Sequence, residues 1–84
     1  MKKQVKDQIE KMVKAFNEAN SKFGETYRYE YHSSAFKRGK YSVEIFFSNI
    51  FDSYDFIKLM DIITANGLHF HFAHRKDYSV IYLQ

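Results

Sequence analysis

At 84 residues the chain has the length of one small domain and a modest core, because a chain of this size buries only about 60–65% of its unfolded surface. It has no cysteine, which excludes a disulfide framework, a thiolate metal site and a cysteine nucleophile. Its net charge of +3 comes from 13 basic and 10 acidic residues that are interspersed, so it permits an acidic partner without marking one.

The opening MKKQVKDQIEKMVK carries charge throughout and lacks the apolar run of a signal peptide, so a cytoplasmic protein without a membrane segment is expected. Over residues 3–20, Val5, Ile9, Met12, Val13 and Phe16 fall on one stripe of a 3.6-residue period and predict a helix. Lys2, Lys3, Lys6, Lys11 and Lys14 are broken up by Asp7, Glu10 and Glu18, with Asp7–Lys11 and Glu10–Lys14 spaced as supporting pairs. A solvated helix face is therefore preferred to a lipid-binding one. NSKFGE ends the helix, with Gly24 suited to a left-handed turn.

Residues 26–33 alternate Tyr27, Tyr29 and Tyr31 against Arg28, Glu30 and His32, a strand with one drier face. The tyrosine ladder is read as half-buried core in preference to a stacking platform. SSAFKRGK is a turn around Gly39, and residues 41–48 form the partner strand. Tyr41, Val43, Ile45 and Phe47 take one side of it, and Ser42, Glu44, Phe46 and Ser48 the other. A second helix opens at Asp52, an N-cap residue, with Asp55 in its first turn and Phe51 and Phe56 placed as a hydrophobic staple. Phe56, Leu59, Met60 and Ile63 form its buried stripe, and Gly67 is placed just past its end. Residues 68–74 and 78–83 are two more strands joined by HRKD.

The order helix, strand, strand, helix, strand, strand contains one αββ unit twice. Ala19-Asn20 and Ala65-Asn66 echo each other, as do Tyr41-Ser42-Val43 and Tyr78-Ser79-Val80. The expected fold is therefore α+β: a two-layer αββαββ arrangement, with a four-stranded antiparallel sheet under two helices on one face. By analogy this is a ferredoxin-like order permuted by moving its first strand to the end, with spatial order third, fourth, second, first. The analogy carries no function.

His69, His71 and His74 lie in LHFHFAH. Alternation sets Leu68, Phe70 and Phe72 towards the helices, leaving His69 and His71 about 6.5–7 Å apart on the open side. His32 shares that side but lies about 14 Å away on the opposite edge, and two ligands do not close a zinc site. These histidines are read as the wet side of an edge strand, with no metal and no cofactor. No phosphate loop, GxSxG or HExxH is present in the chain, so no catalytic residues are assigned.

The YSV echo places Tyr78, Val80 and Tyr82 towards the helices. Phe46, Ile81 and Leu83 then form an apolar patch on the open side, rimmed by Glu44 and Arg28, with Glu30 and His69 nearby. A dry centre with a polar rim marks a protein interface. The expected function is a small non-enzymatic module, of inhibitor or adaptor type, binding another protein or a second copy of itself. The proline-free, Lys/Asn/Ile/Tyr/Phe-rich composition suits proteins that mobile elements encode. The alternative is nucleic-acid binding through the turn residues Lys37, Arg38, Lys40, Arg75 and Lys76 with neighbouring aromatic rings.

Overall fold

The computed structural model describes residues 1–33, 42–48 and 50–84. The elements are α1 (Lys3–Ala19), β1 (Tyr29–Ser33), β2 (Val43–Phe47), α2 (Ser53–Ala65), β3 (Phe70–His74) and β4 (Ser79–Leu83), with a 3-10 turn at Ser21–Phe23 after α1. The strands form one antiparallel sheet in the order β1-β2-β4-β3, the permuted ferredoxin-like arrangement. None of the described helices is long and apolar enough to cross a membrane.

The stripe of α1 buries Ile9, Val13 and Phe16, with Val5 and Met12 packed at its margin. Helix α2 buries Leu59 and Ile63. Beneath them lie Tyr29, Val43, Ile45, Phe47, Ile81 and Leu83 from three strands of the sheet. Side chains of this size each contribute about 1.5–3 kcal/mol when fully buried.

Both ends of α2 follow from local chemistry. The Asp52 carboxylate accepts from the main-chain N–H groups of Tyr54 (2.9 Å) and Asp55 (3.3 Å), and the Phe51 and Phe56 rings meet edge to face across the cap at 6.2 Å. At the other end Gly67 takes φ 60°. Its N–H reaches the Thr64 carbonyl at 3.3 Å and the Leu68 N–H reaches that of Ile63 at 2.9 Å, the paired bonds of a Schellman motif. Leu68 is therefore spent on the cap and on the core margin, and β3 begins two residues later than the alternation suggests. The same reasoning shortens β1. The Thr26 N–H bonds the Phe23 carbonyl, and Tyr27 packs edge to face on Phe23 at 5.6 Å instead of extending the strand.

A buried polar cluster ties the layers together. The Tyr29 hydroxyl donates to Asp55 Oδ2 (2.8 Å), and Asn20 Nδ2 donates to the same oxygen (2.8 Å). The Asp52 main-chain N–H donates to the Tyr29 hydroxyl oxygen (3.0 Å). Tyr29 and Asp55 are only 2% and 7% exposed. Burial pushes the Tyr29 phenol far above its ordinary value; the Asp52 N–H opposes this and the Asp55 carboxylate adds to it. Tyr31 is also raised, by burial first and then by Glu10 and Asp7, against a lowering hydrogen bond with Ser33.

Two outcomes are expected. Gly67→Val should lower stability by about 1 kcal/mol or more in urea titration, since a β-branched residue resists positive φ. The folded Tyr29 phenol keeps its proton where the unfolded one loses it. Its contribution is thus complete below the ordinary phenol pKa of about 10 and is lost as pH rises beyond that. Urea titrations at pH 8 and pH 10.5 should show a loss of stability on the alkaline side. Tyr29→Phe should cost about 1–3 kcal/mol at pH 8 and show a shallower alkaline loss, with Tyr31 supplying the remainder.

Candidate functional site

The face of the sheet turned away from the helices is set by the pairing register. Directly paired residues in antiparallel strands share a face. Because Ile45 pairs with Ile81 and Val43 with Leu83, the side chains of Ile81 and Leu83 lie with Val43 and Ile45 under the helices, each at 0% exposure. The expectation that Ile81 and Leu83 form an exposed patch is therefore corrected. Val80 pairs with Phe46 and Tyr82 with Glu44, so Val80 and Tyr82 take the open face in their place.

The reason lies in the β3–β4 hairpin. His74 pairs with Ser79, and the four residues between them close on a bond from the Arg75 N–H to the Tyr78 carbonyl (2.8 Å). That loop sets Phe72 opposite Ile81 and Phe70 opposite Leu83. The purely aliphatic Ile81 and Leu83 then enter the dry layer, while Tyr82 keeps its hydroxyl on the wetter side. The YSV echo misleads because the two segments begin antiparallel strands at opposite ends of the pair. Counting outward from the HRKD turn would have found the right face.

The open face thus carries Glu30 and His32 from β1, Glu44 and Phe46 from β2, Val80 and Tyr82 from β4, and His71 and Ala73 from β3. Val80 is 1% exposed although no described helix covers this side. Rings lie over the sheet instead. Phe46 meets His32 edge to face at 4.9 Å and tilts against Tyr78 at 5.8 Å, and His71 stacks on Tyr82 at 6.3 Å. Among the described residues this face therefore carries a set of aromatic contacts and is not merely solvated.

At the β1-start end of this face is an open hollow of about 610 Å³. Phe46, Phe47 and Tyr78 supply its apolar walls, and Glu25, Arg28 and Glu30 its charged rim. Arg28 and Glu25 approach to 3.6 Å while both remain exposed, and Glu30 meets His32 at 3.4 Å. Of the expected protein-binding residues, the structure brings Phe46 and Arg28 together in this hollow and leaves Glu44 on the same face, while Ile81 and Leu83 belong to the core. Tyr78, Glu25 and Phe47 are among the members that sequence reasoning missed. The echo had turned Tyr78 inward, and Glu25 precedes any periodic segment.

His32, Glu44, Tyr82 and His71 form one row across the open face, which leaves the edge histidines about three strand spacings, or 14 Å, apart. Among the described residues no group of three His, Asp or Glu side chains is placed to hold a metal ion. His74, expected in the turn, is the last residue of β3 and lies 3.0 Å from the Ser79 hydroxyl. Lys37, Arg38 and Lys40 lie outside the described residues. Arg75 and Lys76 are exposed between β3 and β4, at the opposite end of the sheet from the Ser33–Val43 pair. No family model matches the chain, and neither the curated proteins nor the solved structures contain a match.

The two kinds of apolar strand residue should respond differently to charge. Leu83→Lys or Ile81→Lys buries an unpaired cation and should cost an amount on the order of the whole folding free energy of a small domain. Phe46→Lys, whose ammonium can reach water from the open face, should still melt cooperatively. Thermal melts followed by circular dichroism of the three variants check this.

Proposed function

We propose that the protein is a small non-enzymatic interaction module, of inhibitor or adaptor type, that binds another protein through the open face of its sheet. The observation that carries the reading is the Phe46–Tyr78 hollow. A half-buried ring and a Tyr78 that is 42% exposed stand side by side within a rim of Glu25, Arg28 and Glu30. An aromatic centre with a mixed-charge rim suits a protein surface, where aromatic anchors dominate the energy and rim charges set orientation. Among the described residues, Glu25 and Glu30 beside Arg28 make this hollow a poor seat for a phosphate backbone, so the protein reading is favoured over the nucleic-acid one.

The test is affinity capture from the native cell, followed by titration of the identified partner. Phe46→Lys is expected to weaken binding by roughly 30-fold, the equivalent of about 2 kcal/mol for a central anchor, with the melt still cooperative. Tyr78→Ala should weaken it less. Undiminished binding in both variants sinks the reading. Capture of nucleic acid alone, with affinity falling steeply between 50 and 200 mM salt, would replace it by the alternative.

A further inference from the structure

The two edges of the sheet are built differently. On the β1 edge the Asn17 side chain acts as a substitute strand: its Nδ2 donates to the Tyr29 carbonyl (2.8 Å) and its Oδ1 accepts from the Tyr29 N–H (2.9 Å). The outward main-chain groups of Tyr29 are thereby satisfied, and Glu30 adds a charge. Both devices discourage a further strand from pairing there.

Among the described residues the β3 edge has neither device. His69 and Gln84 exchange both main-chain bonds, at 3.0 and 2.9 Å. Alternation along an antiparallel pair then directs the N–H and C=O of His71 and Ala73 to β4, and those of Phe70, Phe72 and His74 outward. No described strand lies beyond β3. Residues 68–74, LHFHFAH, contain no Lys, Arg, Asp or Glu, the residues that usually blunt an edge. On the helix side of the same strand Phe70 and Phe72 are 47% and 42% exposed, in contact with each other at 5.9 Å and with Phe56 of α2 through Phe72 at 6.0 Å.

We infer that β3 is the site at which a second copy of this chain adds, antiparallel, to make one continuous sheet across two protomers. The pairing is centred on Phe72. A two-fold axis there lets Phe72 exchange both main-chain bonds with Phe72 of the second copy, and Phe70 with His74, so every outward group of the strand is used. The exposed phenyl groups of both copies form one row on the helix side, with no formally charged residue of either strand in it. Arg75 falls beside His69 of the second copy and not beside another Arg75, so the register sets no like formal charges opposite each other. A foreign extended peptide could use the same main-chain groups, but it would have to supply the matching uncharged aromatic row that a second copy already carries. This contact is separate from the Phe46 hollow, which stays open on both protomers.

The experiment combines sedimentation equilibrium of the whole chain, from about 5 to 500 μM, with amide hydrogen exchange at the two extremes. The expected result is a reversible dimer in which the amides of Phe70, Phe72 and His74 become protected as concentration rises. Phe70→Lys, a charge on the exposed edge, should weaken dimerisation at least tenfold, and Phe46→Lys should leave it unchanged. A monomer at every concentration overturns the inference, as does a dimer whose Phe70, Phe72 and His74 amides exchange freely. A dimer broken by Phe46→Lys assigns self-association to the open face instead. Should Phe70→Lys fail to fold, the exchange pattern of the wild-type chain decides by itself. Protection of these amides only on adding a foreign partner, with the chain alone monomeric, would assign the edge to a peptide and also overturn the second-copy assignment.

Discussion

The Tyr29 hydroxyl is the point through which the two layers are held in register. It receives a main-chain N–H from the residue that caps α2 and donates to a carboxylate in the first turn of that helix, which also takes a bond from the residue that ends α1. The end of α1, the start of β1 and the start of α2 are thereby joined through one phenol and one carboxylate, in a place with little water. Hydrogen bonds in such a place are costly to leave unmade, so the cluster favours one arrangement over the alternatives a small aromatic core would otherwise tolerate. The ring of Tyr29 serves the same end, stacking on Phe51 at 4.2 Å and meeting Phe16 edge to face at 5.9 Å.

With β1 anchored in this way, α1 closes the β1 side of the molecule and Asn17 occupies its edge. The opposite side is left thinner. Helix α2 reaches β3 through the Phe56–Phe72 contact, and the outer phenylalanines of β3 stay about half exposed. An 84-residue chain with two helices has too little helical surface to cover four strands evenly, and the shortfall falls on the strand farthest from the anchored one.

The open face answers the same shortage differently. Where no described helix lies, Phe46 meets His32 and Tyr78, His71 stacks on Tyr82, and Val80 is nearly without exposure. Aromatic side chains suit this role because one broad ring covers a strand spacing while its polar edge or hydroxyl still reaches water. The same property underlies the proposed role of the Phe46–Tyr78 corner as an anchor for a protein partner. The rings are already ordered against each other, so less conformational freedom is lost when a second surface covers them.

Much of this fold was legible in the sequence because it rests on local chemistry. The stripe from Val5 to Phe16, the Asp52 cap with its Phe51–Phe56 staple, and the stop at Gly67 each depend on residues within a few positions of one another, and each is present as the pattern implies. The strand order followed from the succession of elements and its analogy with a permuted ferredoxin-like order. The candidate site was only half legible: Phe46, Glu44 and Arg28 fell on the correct face, while Ile81 and Leu83 did not. SVIYL is apolar on both sides, so period two cannot orient it, and only the hairpin closed between His74 and Ser79 decides which set enters the core. The Tyr29–Asp55 cluster was equally hidden. Local spacing explains Asp55 as a helix-dipole residue and Tyr29 as part of a ladder, and nothing along the chain says that a hydroxyl and a carboxylate 26 residues apart will meet. Periodicity and caps act along the backbone and can be read there; the face of a doubly apolar strand is set by how its hairpin closes, and a buried polar pair by what lies across the core, which only the folded chain brings together.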